Sequence, residues 1–411
     1  MVSRRAFLRD GAVALVSLGF APSFLSRTIS AAGPSRRNKR LIAIFQRGAV
    51  DGLSMIAPWG DDEYYRVRPS IAVARPGSGV DSAIDLDGFF AFNPRLAPLA
   101  SLYTRRDLAI VHACGSPDAT RSHFDAQDYM ETATPGVKST EDGWLNRYLQ
   151  ARKAEVEQPF RAVALTPQMP RMLQGHASVI ATSQLSQFGI RAVAMNDSFE
   201  AQYAAAADRV LNGTGREAFD AMRTLKTADP SRYRPANGAI YPQTAFGQAL
   251  QQIAQLTKAD VGLEIAFAEL GGWDTHVNQG STQGQLATRL DDFGRAIAAL
   301  ATDLGDDLGD TVILTMSEFG RAVGENGNRG TDHGHGNAMM VIGGGVRGGK
   351  VYGKWPGLAA SQRYDGRDLA VTTDFRDVFG EIVVRHLGVE NPAPIFPGYR
   401  INPSRFPGLF A

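Results

Sequence analysis

Short apolar runs recur along the chain: Leu41-Ile42-Ala43-Ile44-Phe45, Leu108-Ala109-Ile110-Val111, Ala162-Val163-Ala164-Leu165, Gly262-Leu263-Glu264-Ile265-Ala266-Phe267, Thr311-Val312-Ile313-Leu314-Thr315 and Ala338-Met339-Met340-Val341-Ile342. Most are continuous rather than alternating, as expected of strands covered on both faces. Helical spacing lies between them. It is clearest over residues 285–304, where Leu286, Leu290, Phe293, Ile297 and Leu300 recur at steps of three and four. Strands alternating with helices predict an α/β fold, a central, predominantly parallel sheet with helices on both faces. Residues 198–258 read as mostly helical and Ala-rich, broken at Asp229-Pro230, and form a helical insertion or cover within a single domain from residue 33 to 411. No internal repeat or low-complexity tract interrupts the pattern.

The first 32 residues follow a different logic. Ser3-Arg4-Arg5-Ala6-Phe7-Leu8-Arg9 resembles a twin-arginine signal, an apolar stretch runs through residues 12–25, and Ser30-Ala31-Ala32 supplies a small-x-small cleavage site. Charge, apolar run and small residues stand in the order that export requires. Gly19 and Pro22 interrupt the apolar run, which falls short of the ~20 residues needed to span a bilayer. The expectation is a periplasmic or secreted protein that meets the twin-arginine export machinery and has no permanent membrane span. Residues 33–40 then read as a short polar linker.

Removing the leader takes away four arginines and one aspartate, so the formal charge of +1 becomes −2 for the remainder. Such a near-neutral chain has no electrostatic case for binding nucleic acid. The one cysteine, Cys114, excludes an intrachain disulfide, so burial must hold the fold together. A hydrophobic content of 44% is enough for that.

Chemistry collects where the expected strands end. Gln46-Arg47-Gly48-Ala49-Val50-Asp51-Gly52 follows the first strand, Gly271-Gly272-Trp273-Asp274-Thr275-His276 a middle one, and Met316-Ser317-Glu318-Phe319-Gly320-Arg321 a later one; Gly330-Thr331-Asp332-His333-Gly334-His335-Gly336-Asn337 leads straight into the next. In a layered α/β sheet such loops converge on one edge. Asp51, Asp274, His276, Glu318, Asp332, His333 and His335 are therefore candidate ligands for one or two divalent metal ions, with Zn, Mn, Mg and Ca all compatible. The isolated His112, His176 and His386 read as structural.

Thr120-Arg121-Ser122-His123-Phe124-Asp125 opens a helix pattern, and Ser122 near its start is either a simple N-cap or a nucleophile favoured by the helix terminus and a nearby metal. His123 stands beside it. Arg121 and Arg47 are either surface charges or clamps for an anionic substrate.

Taken together, the leader, Arg47-Gly48-Ala49-Val50-Asp51-Gly52-Leu53, Ser122-His123-Phe124, Thr134-Pro135-Gly136-Val137-Lys138, the Trp273-Asp274-Thr275-His276 and Ser317-Glu318-Phe319-Gly320-Arg321 segments, Asp332-His333-Gly334-His335 and Thr373-Asp374-Phe375-Arg376 resemble a secreted bacterial family of unknown function. That family is grouped with the alkaline-phosphatase and sulfatase superfamily. The resemblance implies an α/β fold with two metals at the strand ends and cleavage of phosphate or sulfate esters. By the same resemblance, Asp51 matches the first-strand metal Asp and Ser122 the nucleophile. Asp274 and His276 match the pair that binds one metal, and His335 matches the last metal His. Two departures stand out. The superfamily's Asp and His are usually four apart, whereas Asp274 and His276 are two apart. Its strand-end Asp-His pair matches Glu318-Phe319 by strand order, or else Asp332-His333. In the first match one site has lost an imidazole, and His333 or His123 is the candidate replacement.

The sequence thus supports an exported metal-dependent hydrolase of phosphate or sulfate esters, with catalytic Ser122, Arg121 and His123. Its rival is a non-catalytic superfamily member that binds an envelope partner or glycan.

Overall fold

The computed structural model describes residues 39–152, 158–186 and 232–411. The leader over residues 1–32, most of the linker after it, the Asp229-Pro230 breaker and the helical reading over residues 198–231 lie outside the described residues.

The main sheet is built from β1 (Arg40–Arg47), β5 (Leu108–Gly115), β6 (Ala162–Ala164), β7 (Ile180–Ala181), β8 (Ile265–Gly271), β9 (Thr311–Met316), β10 (Asn337–Gly343), β11 (Lys350–Tyr352) and β12 (Thr373–Asp374). The order across it is β11-β5-β10-β9-β1-β8-β6-β7, with β12 also on β5. Within Lys39–Ala411, a small second sheet joins β2 (Ile56–Ala57), β3 (Ile84–Asp85) and β4 (Ala91–Phe92). Helix α1 is His123–Thr132, α2 Trp144–Ala151, α3 Ala245–Lys258, α4 Gln285–Leu304 and α5 Phe375–Glu381.

The sheet is mostly parallel. β1 pairs in parallel with β8 and β9, and β6 with β8 and β7, while β10 runs antiparallel to both of its neighbours, β5 and β9. That one reversal decides where the chemistry falls. Residues that follow the parallel strands leave at one edge, and residues that precede β10 arrive at the same edge. The loops after β1, β5, β8 and β9 therefore meet the loop before β10.

Continuous apolar strands fit this arrangement because successive side chains enter different cores. Ile42 and Ile44 of β1 join Phe246 and Ile253 of α3 and Leu290, Phe293 and Ile297 of α4. Leu41, Ala43 and Phe45 join Trp144 and Tyr148 of α2 and Val378 and Phe379 of α5. Each of these Leu, Ile, Val and Phe side chains taken fully from water contributes roughly 1.5–3 kcal/mol before the entropy of ordering it.

Helix α4 has the bounds that its apolar spacing predicts. The strand expected over residues 262–267 instead runs from Ile265 to Gly271. Gly262 adopts a left-handed φ of +80°, which turns the chain before the strand starts. Beyond Phe267 the strand continues because Glu269 lies opposite Phe45 and Leu270 opposite Gln46 of β1. No helix among the described residues is long and apolar enough to cross a membrane.

Candidate metal centre

Imidazole edges converge at the common edge of the sheet. His333 Nε2 lies 3.0 Å from His123 Nε2 and 2.9 Å from His276 Nε2. Asp274 Oδ1 stands between them, 3.5 Å from His123 Nε2, 3.0 Å from His276 Nε2 and 3.3 Å from His333 Nε2. Ligand atoms of His123, Asp274 and His333 all lie within 4.8 Å of one another, and His276 joins through the last two.

The far side of each ring is tied down. His123 Nδ1 is 2.8 Å from Glu318 Oε1, His276 Nδ1 is 3.1 Å from Asp332 Oδ1, and His333 Nδ1 is 2.9 Å from the carbonyl oxygen of Arg121. A carboxylate or carbonyl only accepts, so each Nδ1 must carry the proton and donate. In the neutral rings, each Nε2 then presents a lone pair to its neighbours. Lone pairs held at about 3 Å repel unless a cation or a shared proton lies among them, and the Arg321 guanidinium reaches only the rim, 3.5 Å from His276 Nε2. Tethering the outer nitrogen to an acceptor is also how metal-binding histidines fix their tautomer and orientation.

Local electrostatics favour the neutral ring at His333 and the charged ring at His123. Burial pushes the His333 imidazole below its ordinary value, which favours the neutral form. A hydrogen bond to Glu318 raises His123. Burial opposes ionisation of Asp274, but the Arg321 guanidinium, at 2.5 Å, outweighs it and holds the carboxyl below the usual range. Glu318 is wholly buried; donors from His123, Gln127 and the Gly48 amide override that burial and keep it ionised.

The chain brings these groups together by close backbone contact. At Gly48, φ is +109° and a Cβ would stand 2.9 Å from the Asp274 amide, so only glycine lets the loop after β1 approach the loop after β8. Asp274 itself is 47% exposed, so the centre opens to solvent.

The donor set suits a metal. Three imidazole nitrogens and one carboxylate fit zinc or a similar transition ion better than Mg or Ca, which favour all-oxygen surroundings.

A family model described as "Protein of unknown function (DUF1501)" matches residues 110–377, well over half of the chain, from β5 to the first residues of α5. The chain belongs to the DUF1501 family. No curated protein matches its sequence. Among solved structures, the DUF1501 chain is similar to the C-terminal periplasmic domain of EcEptC from Escherichia coli in complex with Zn, with 9% identity, 75% of this chain and 74% of that chain covered, and a TM-score of 0.36. It is also similar to the PsFucS1 sulfatase from Pseudoalteromonas sp., with 12% identity, coverage of 93% and 72%, and a TM-score of 0.38.

The other residues singled out in the DUF1501 sequence take different places. Glu318 and Asp332 stand one step back from the centre, each holding an imidazole rather than facing the cluster. Asp51 is fully buried with its carboxylate on the Arg68 guanidinium, at 2.6 and 3.1 Å. Ser54 and Gln279 also donate to it, so its oxygens are already filled. Arg68 outweighs the burial of Asp51 and lowers its carboxyl. His335 stacks on Tyr364 with ring centroids 4.4 Å apart. Ser122 is the N-cap of α1, accepting from the Asp125 amide at 3.4 Å. Arg47 pairs with Glu131 and Glu269, and Arg121 with Asp368. The two isolated histidines of the core serve structure: His112 bonds the Ile56 carbonyl and His386 the Arg40 carbonyl.

Sequence reasoning missed two participants. Arg321 lies in a quoted motif, yet its guanidinium gives no clue in sequence that it reaches back to Asp274. Gln279 lies beyond the motif altogether. His123, one of the two candidate replacements for the lost imidazole, stands in the cluster beside His333.

Proposed function

We propose that this protein is an exported, metal-dependent hydrolase of phosphate or sulfate esters, delivered by the twin-arginine machinery. The observation that carries the reading is the convergence of the His123, His276 and His333 Nε2 atoms on Asp274 Oδ1 with every outer ring nitrogen tethered. A divalent transition ion bound there would polarise an ester oxygen and stabilise the charge that develops on it. His123, His276, His333 and Asp274 bind the ion. Glu318, Asp332 and the Arg121 carbonyl orient the imidazoles. Ser122, one residue before His123, is the proposed nucleophile, and its weak 3.4 Å cap contact leaves the hydroxyl free to attack.

Elemental analysis of the purified protein, followed by hydrolysis assays with aryl phosphate, phosphodiester and aryl sulfate esters, tests the reading. The expected result is near-stoichiometric metal and turnover of at least one ester class, both abolished in His333→Ala. Absence of turnover on all three classes by the metal-loaded protein sinks the hydrolase. Turnover unchanged in Ser122→Ala but lost in His333→Ala removes Ser122 and leaves water as the attacking group.

A second reading, a binding module for an envelope glycan or partner, is favoured by one observation. Arg47 and Arg121, the arginines expected to clamp an anionic ester, are both held by carboxylates.

A further inference from the structure

Beneath the imidazole cluster lies a buried polar network that the proposed chemistry does not use. Its centre is Gln279, a fully buried carboxamide. Its oxygen accepts from Thr275 Oγ1 at 2.8 Å and from Thr331 Oγ1 at 2.6 Å. Its nitrogen donates to Asp51 Oδ2 at 2.7 Å.

The two threonines matter because of their neighbours in the chain. Thr275 separates Asp274 from His276, and Thr331 precedes Asp332 and His333. The Thr331 amide also bonds the Thr275 carbonyl at 3.2 Å, so the two loops are joined directly and through Gln279. Asp51 in turn is pinned by Arg68, which donates to the carbonyls of Ala322 and Val323 at 2.9 and 2.7 Å. One carboxamide therefore links the end of β1 to both loops that carry the cluster's Asp274, His276 and His333.

No other side chain does this in the same space. The site demands an acceptor for two hydroxyls and a donor toward a carboxylate, which a carboxamide supplies from its two ends. Glutamate would set a second negative charge against Asp51, and leucine would leave two hydroxyls without their acceptor inside the protein.

We propose that Gln279 is a positioning residue for the metal centre, fixing the Asp274-His276 and His333 loops in register so that their ligand atoms meet. This role rests on the metal reading given above. Gln279 touches neither metal nor substrate. It acts through Thr275 and Thr331, and Asp51 belongs to this device rather than to the ligand set.

The test uses the full chain after export and Zn2+ as the probe. Zn2+ affinity is measured by competition with a chromophoric chelator, the Co2+-substituted protein gives a visible spectrum, and thermal unfolding is followed in parallel. Gln279→Leu is expected to weaken Zn2+ binding roughly 10–100-fold and to change the Co2+ spectrum. Asn146→Ala is the control for plain destabilisation. Asn146 is fully buried and bonds the Leu173 and Ala177 carbonyls, so its loss should lower the unfolding temperature and leave affinity and spectrum unchanged. Where Gln279→Leu does not fold, the same measurements on Thr331→Val decide, with a loss of roughly tenfold expected. Wild-type protein that binds Zn2+ stoichiometrically, alongside a variant that binds it equally tightly with the same Co2+ spectrum, overturns the role of Gln279 alone. Wild-type protein that takes up no Zn2+ overturns the metal reading and this role with it.

Discussion

Arg321 Nη2 donates to Asp274 Oδ1 at 2.5 Å, so the carboxylate at the middle of the histidine cluster is tethered to a fully buried guanidinium. The same guanidinium donates to the carbonyls of Gly48, Ala49, Trp273 and Thr331. It is therefore a tie between three strand-end loops. Replacing it with Arg321→Met should cost about 3–5 kcal/mol in urea unfolding, since buried acceptors lose a charged donor. Measurement in excess chelator keeps bound metal from contributing. Arg321→Lys keeps the charge without the planar fork and should recover only a minor part of that loss.

Glu318 and Asp332 both hold imidazoles, but in different surroundings. The Glu318 side chain is wholly buried and accepts from Gly48, Gln127 and Ser317 as well as His123, whereas Asp332 is 54% exposed. Water can replace the second contact and not the first. Glu318→Gln is expected to reduce Zn2+ affinity by about 10–100-fold and Asp332→Asn by roughly tenfold or less. Competition titration of both variants checks the ranking, and a larger effect at Asp332 would show that burial of the anchor is not what sets ligand orientation.

The chain shows much of this architecture in advance, and the reasons differ by element. Helix α4 is legible because its apolar residues face one core at regular spacing. The strands are legible because both faces are covered, which makes them continuous apolar runs. The common edge follows from strand-end placement, and with it Asp274, His276 and His333. What the sequence hides is direction and partnership. Nothing in the run before β10 says that this strand is reversed, yet that reversal is what brings His333 to the edge. Asp51 looks like a ligand because it follows a buried strand, and only its distance to Arg68, 17 positions later, shows that its charge is already met. Gln279 carries no motif because its role is set by two hydroxyls, one of them 52 positions away.

Acid should unsettle the fold through its buried histidines. His112 accepts from the Ala113 amide at Nδ1, so its Nε2 carries the proton and donates to the Ile56 carbonyl. Burial lowers its pKa from 6.5 to about 4. The unfolded chain takes up this proton before the folded one does. Stability from this group is thus fully present above pH 6.5 and is lost as pH falls toward 4, by about 3 kcal/mol for a shift of this size. In His112→Gln the curve of unfolding free energy against pH should be flatter across that window, and an unchanged slope would show that other groups set the acid limb.

Gly334 separates His333 from His335, and its lack of a side chain is a geometric demand. A Cβ there would lie 2.3 Å from the Arg321 carbonyl carbon, 2.4 Å from its oxygen and 2.6 Å from the Ala322 nitrogen. These are backbone atoms, and they cannot swing aside as a side chain would. The segment is also held by backbone bonds, from the Gly334 amide to the Gly320 carbonyl and from the Ala322 amide to the Asp332 carbonyl, both at 2.8 Å. An alanine must therefore push the His333 segment off the Arg321 segment and carry the His333 ring with it. Gly334→Ala should cost about 1–3 kcal/mol through overpacking, and Zn2+ affinity should fall by roughly tenfold or more as an anchored ligand is displaced. Gly327→Ala is the matched control, because a Cβ there meets nothing within 4 Å. If both variants keep wild-type affinity in the same titration, the close approach at Gly334 is not what holds His333 in the cluster.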